Sequence, residues 1–162
     1  MGKSIEARIG EGLKELSLTV SVAESCTGGL VGSRLTDVAG SSTYFLGGIV
    51  AYSNDAKVKL LGVRRETLAE HGAVSEEAAR EMAEGVRHCF GTGIGLAVTG
   101  IAGPGGATKE KPVGLMWLAL ATEGNTQAQS IHLPGNRIQN KAEAAEQLLS
   151  LLEEYINSLR TE

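Results

Sequence analysis

Apolar residues recur along this chain in two rhythms. Ile5, Ile9, Leu13 and Leu16 stand three and four apart behind Ser4, which predicts a helix over residues 4–16 with Ser4 as its N-cap. Leu18, Val20 and Val22 then alternate with Thr19 and Ser21, the period of a short strand over 18–23. Leu30, Val31 and Leu35 predict a helix over 30–38, residues 45–52 a strand, and 54–61 a short helix. Residues 64–72 are polar and read as irregular chain or a short helical turn. Ser75 stands as an N-cap, with Glu76 and Glu77 at the positive end of the following helix. Ala79, Met82, Ala83, Val86 and Phe90 form its apolar face.

The second half begins with a strand over 94–99 and a glycine-rich loop over 100–111. Residues 113–121 are almost continuously apolar, as in a central strand, and 126–133 fold back across a turn as a hairpin. A last helix over 137–159 carries Ile138, Ala142, Ala145, Leu149, Leu152, Ile156 and Leu159 in steps of four and three. That spacing resembles a coiled-coil seam, but a helix packing on a sheet explains it more simply. Helices alternating with strands predict one layered α/β domain over 1–162, its sheet mixed because of the hairpin.

Composition narrows the chemistry. Glycine fills 22 of 162 positions without a repeat, about twice the usual ~7%, so the chain needs tight turns or close backbone approaches to a ligand. Aromatics are 4%, so the core is aliphatic. A net charge of −4 argues against a nucleic-acid partner. No apolar run reaches ~18 residues, which argues against a membrane span, and the charged N-terminal stretch lacks an apolar signal core. The expected location is cytoplasmic. Cys26 and Cys89 cannot make a disulfide framework, and His71, His88 and His132 lack ligand spacing, so neither metal nor cofactor is expected.

Three segments carry candidate chemistry. Glu24–Gly29 forms a strand-to-helix turn with Ser25, Cys26 and Thr27 as possible nucleophiles. The backbone N–H groups of Thr27, Gly28 and Gly29 are placed there to receive an anion. A capping Ser or Thr with turn-shaping glycines is the plainer reading of the same residues. In the segment Tyr52–Lys57, Lys57 is a base candidate if buried, Tyr52 a proton donor or relay, and Asn54 a binding residue. Ser53, four residues before Lys57, is a competing partner for it. The loop after residue 99 places Gly100, Ala102, Gly103 and Gly105 at the end of a strand, where ligands sit in open α/β sheets. The glycines at 91, 93 and 95 run into a strand instead of following one and are not a dinucleotide fingerprint.

Together AESCTGGLVGSRLTDVAGSSTYFLGGIVAYSNDAKVKLLGV (23–63), HGAVSEEAAREMAEGVR (71–87), LAVTGIAGPGG (96–106) and EKPVG (110–114) resemble the CinA C-terminal domain family. Its stand-alone members include nicotinamide mononucleotide amidases of the PncC type. The resemblance implies a three-layer α/β/α sandwich with a mixed, mostly parallel sheet. It implies hydrolysis of the carboxamide of nicotinamide mononucleotide, returning the product to pyridine-nucleotide salvage. It selects Ser25 as nucleophile, with Tyr52 and Lys57 assisting, and the glycine-rich loop and Arg137 are candidates to hold the phosphate. The cationic pyridinium ring activates its own carboxamide, so a metal is not required. Where the family commonly has Gly-Asp-Arg, this chain has Gly135-Asn136-Arg137. A non-catalytic nucleotide-binding regulatory module and an amidase for another amide are the competing readings. Small-residue helix faces and the heptad-like last helix leave room for a homo-oligomer.

Overall fold

The computed structural model describes residues 2–162. Among them, five strands form one sheet: β1 (Val20–Glu24), β2 (Phe45–Val50), β3 (Ile94–Gly100), β4 (Leu115–Thr122) and β5 (Asn125–His132). Their order is β2-β1-β3-β4-β5. β1 pairs in parallel with β2 and β3, while β4 runs antiparallel to β3 and β5. The sheet is therefore mixed, with β4 running against the other strands. Helices α1 (Ile5–Glu15), α2 (Leu30–Leu35) and α6 (Arg137–Arg160) cover one face. Helices α3 (Asn54–Leu61), α4 (Arg65–His71) and α5 (Glu76–Phe90) cover the other. This is the expected α/β/α sandwich.

The period-two alternation sorts side chains by size. Val20, Val22, Ile94, Leu96, Val98, Met116, Leu118 and Leu120 face α1, α2 and α6 in a large aliphatic cluster. Ala23, Ala97, Ala119 and Ala121 face α5. The small face lets α5 lie close to the sheet: a methyl group on Gly95 of β3 would stand 2.2 Å from the Ala83 carbonyl oxygen. The glycine at 95 is thus a packing glycine.

Caps fix the helix starts, at Ser4 and Ser75 as expected and at Ser53 in addition. Ser4, Ser53 and Ser75 accept from the N–H groups of Ala7, Ala56 and Ala78. Asn136 and Gln139 form a reciprocal capping box, so the asparagine starts α6 without the family's acid.

Two expectations change. Residues 65–71 form a regular helix whose start is capped from elsewhere. Glu81 of α5 accepts from the Arg64 N–H (2.8 Å) and the Thr67 hydroxyl (2.6 Å). In α6, Ala145, Leu149, Leu152 and Ile156 enter the core as predicted, but Ile138 is 72% exposed and Ala142 lies outside too. Asn140 takes the buried position of that first turn, and Ala144, Leu148 and Leu151 complete the packed face. The stripe belongs to helix-on-sheet packing.

Candidate active site

The parallel strands β1, β2 and β3 end at the same edge of the sheet, so the segments following them converge there. They surround a cavity of about 420 Å³ lined by Ser25, Tyr52, Asn54, Lys57, Thr99 and the loop from Gly100 to Gly106, with Arg137 at its side.

Ser25 follows β1 directly, and its N–H donates to the Val98 carbonyl (3.1 Å). Lys57 lies one turn into α3 and is 1% exposed. Its Nζ lies 3.1 Å from Ser25 Oγ, 2.9 Å from the Ala51 carbonyl oxygen and 3.2 Å from that of Tyr52. Burial pushes the amine below the ordinary lysine value, because the charged form loses its water. A protonated amine donates to all three oxygens. A neutral one keeps its two N–H bonds for the carbonyls and turns its lone pair to Ser25, whose hydroxyl then donates into it. Ser53, the competing partner, is occupied as the N-cap of α3.

Cys26 also borders the cavity. Its thiol donates toward Met116 Sδ (3.5 Å), and burial pushes its pKa up to about 12. It therefore behaves as a core residue and not as a thiolate nucleophile.

Tyr52 is 61% exposed at the mouth. Its hydroxyl accepts from Arg137 Nη2 (3.1 Å), and only its backbone carbonyl reaches Lys57. A proton relay through its hydroxyl is thus not set up in this arrangement. Arg137 Nη1 donates to the Gly103 carbonyl (2.7 Å). Both bonds go to neutral oxygens, so the guanidinium charge stays available to an anion.

Thr27, Gly28 and Gly29 depart from the expectation of substrate contact. Buried Glu24 folds its carboxylate over the start of α2. It accepts from the Thr27 hydroxyl (2.6 Å), Gly29 N–H (3.2 Å), Val31 N–H (3.0 Å) and Gly32 N–H (3.0 Å). Gly28 N–H donates to the Ser25 carbonyl (3.1 Å). The anion at this helix start is the chain's own, and these three residues do not line the cavity. The chain can wrap the carboxylate because Gly28 and Gly29 adopt φ of 61° and 106°.

Gly100, Ala102, Gly103 and Gly105 do line it, as does Asn54. Buried Asn140 of α6 holds this loop by donating to the Ala102 carbonyl (3.1 Å) while bonding both polar groups of Gly135. Sequence reasoning missed Ala73, Val74 and Asn140, and gave no role to Glu24 and Thr99, although both stand in the segments that carry candidate chemistry. Thr99 borders the cavity and donates to the Ala73 carbonyl (2.9 Å). A carboxylate just before a Thr-Gly-Gly helix start was a readable signal for Glu24. Nothing local marked Asn140. Among the described residues, no three His, Cys, Asp or Glu side chains gather as a metal site, and no helix is long and apolar enough to cross a membrane.

The family model of the CinA C-terminal domain matches residues 2–156. The chain belongs to that family. A CinA-like protein of Gemmatimonas aurantiaca is 56% identical over 135 residues, covering 83% of this chain and 32% of that protein. A CinA-like protein of Kosmotoga olearia is 54% identical over 142 residues, covering 86% and 34%. The chain thus spans about a third of the length of these relatives. Among solved structures, the competence/damage inducible protein CihA of Agrobacterium tumefaciens superposes with a TM-score of 0.90 at 42% identity, covering 94% of this chain and 93% of that one. A CinA superfamily protein of Klebsiella pneumoniae superposes with a TM-score of 0.92 at 32% identity, covering 95% and 96%. The CinA fold is therefore shared over nearly the whole chain.

Proposed function

We propose that this CinA domain is an amidase that hydrolyses the carboxamide of nicotinamide mononucleotide, giving nicotinate mononucleotide and ammonia. The observation that carries the reading is Ser25 Oγ at 3.1 Å from the buried Lys57 amine on a cavity wall. Neutral Lys57 accepts the proton as Ser25 Oγ bonds to the amide carbon. The developing oxyanion needs donors, and the N–H groups of Gly28 and Gly29 are already engaged. The glycine-rich loop, which borders the cavity, is the proposed donor surface. The C–N bond then breaks, Lys57 returns its proton to the leaving ammonia, and water hydrolyses the acyl-serine. Arg137, at the side of the cavity with its charge not paired to a carboxylate among the described residues, supports the choice of an anionic substrate, and its bond to Tyr52 keeps the two side chains together there.

The test is ammonia release by the purified protein, without added metal, from nicotinamide mononucleotide and from nicotinamide. Turnover of the nucleotide with little of the free amide is the expected result. Binding of the nucleotide without turnover would favour a regulatory module, and turnover of other amides alone would change the substrate.

A further inference from the structure

The buried Glu24 carboxylate is not used in that chemistry, yet it takes four hydrogen bonds beside the reacting serine. We propose that Glu24 is a positioning residue, which holds the turn from Ser25 to Gly29 so that Ser25 Oγ stays within reach of Lys57. The proposal rests on the reading of Ser25 as nucleophile.

Four donors converge on two oxygens: Oε1 accepts from Thr27, Gly29 and Val31, and Oε2 from Gly32. Only a carboxylate offers acceptor sites on both atoms. An amide of the same shape presents an NH₂ group to at least one N–H, so two donors face each other. A shorter Asp cannot span the same residues. Glu24 also lies one residue from Ser25, and its own carbonyl accepts from the Ala51 N–H (2.8 Å). Ala51 in turn supplies one of the carbonyls that hold Lys57. One residue thereby ties the nucleophile's turn to the segment that carries the base. Ser25 has no other side-chain anchor among the described residues besides Lys57. If the turn relaxes, the 3.1 Å contact is what lengthens.

Reactivity with an alkyl fluorophosphonate tests this without depending on the natural substrate. Ser25 Oγ bonds to phosphorus, the P–F bond breaks, fluoride leaves, and the serine proton passes to Lys57. Wild type should label at Ser25, shown by loss of label in Ser25→Ala. If wild type does not label there, the nucleophile reading fails and the proposal falls with it. Given labelling, Glu24→Gln should slow it at least about 10-fold, with the midpoint of its pH dependence unchanged because Lys57 is still the base. Thr27→Val removes one donor and leaves the carboxylate, so it keeps the question open to test should Glu24→Gln not fold. It should slow labelling about 3-fold or more, and Thr27→Ser should restore the rate. Folded Glu24→Gln or Thr27→Val protein that labels at the wild-type rate would overturn the proposal. So would a shifted midpoint, which would make Glu24 a charge acting on Lys57.

Discussion

The turn that carries Ser25 and the glycine-rich loop opposite it face the same cavity, yet they are held in different ways. The turn is tied to itself: Glu24 reaches groups three, five, seven and eight residues onward. The loop is tied to α6, through Arg137 at 34 residues from Gly103 and Asn140 at 38 from Ala102. The candidate nucleophile is thus mounted on a locally braced turn, and the loop across the cavity depends on how a distant helix docks. Substitutions on the two walls should then separate turnover from affinity.

The largest effect should come from the turn. Ser25→Ala should lower kcat by about a thousand-fold or more, while Cys26→Ala stays close to wild type. Reversed results would move the nucleophile to Cys26 despite its buried thiol. Next, Lys57→Arg should cost at least about 100-fold in kcat with KM changing much less, since guanidinium does not deprotonate in proteins. Near-normal turnover would make Lys57 an anion clamp. Because burial lowers the Lys57 pKa, kcat should rise with pH through an ionisation below the ordinary 10.5. The folded protein sheds this proton before the unfolded chain does. Stability therefore rises with pH between the lowered value and ~10.4, and Lys57→Met should lack that rise in denaturation curves.

On the other wall, Asn140→Ala leaves Ala102 and Gly135 groups unpartnered and should cost about 1–3 kcal/mol in urea denaturation. KM should rise more than kcat falls. An equal loss in both would erase the distinction between the walls. The smallest effect is expected at Gly105, where a methyl group meets nothing within 4 Å and φ is not positive. Gly105→Ala should raise stability by about 0.4–1 kcal/mol. A large rise in KM with that gain would show that substrate approaches the backbone at this residue.

The same contrast explains what could be read beforehand. Strands, most helices and the caps Ser4 and Ser75 announce themselves within a few residues, and they stand where the pattern puts them. Helix α4 did not, because Arg64 offers no cap and Glu81 supplies one from α5. The exposure of Ile138 was hidden because periodicity does not say where a helix leaves its sheet. Ser25 and Lys57 were nameable as chemical types, but their 3.1 Å meeting depends on how the ends of β1 and β2 lie together. Thr27 to Gly29 were misplaced because a free helix start was assumed, when the preceding glutamate fills it.

The unequal faces of the sheet bear on how such a sequence can drift. On the side of α1, α2 and α6, exchanges among Val, Ile, Leu and Met alter volume within a deep aliphatic layer, and most cost under about 1.5 kcal/mol. On the side of α5 the sheet positions Ala23, Ala97, Ala119 and Ala121 are already small, and the close approach of the helix resists any enlargement. A methyl group on Gly85 would stand 1.8 Å from the Leu61 carbonyl oxygen, and one on Gly95 would press on Ala83. Neutral change should therefore accumulate on one side of the molecule and stall on the other. Lineages of this fold would then diverge like a hinge with one fixed leaf.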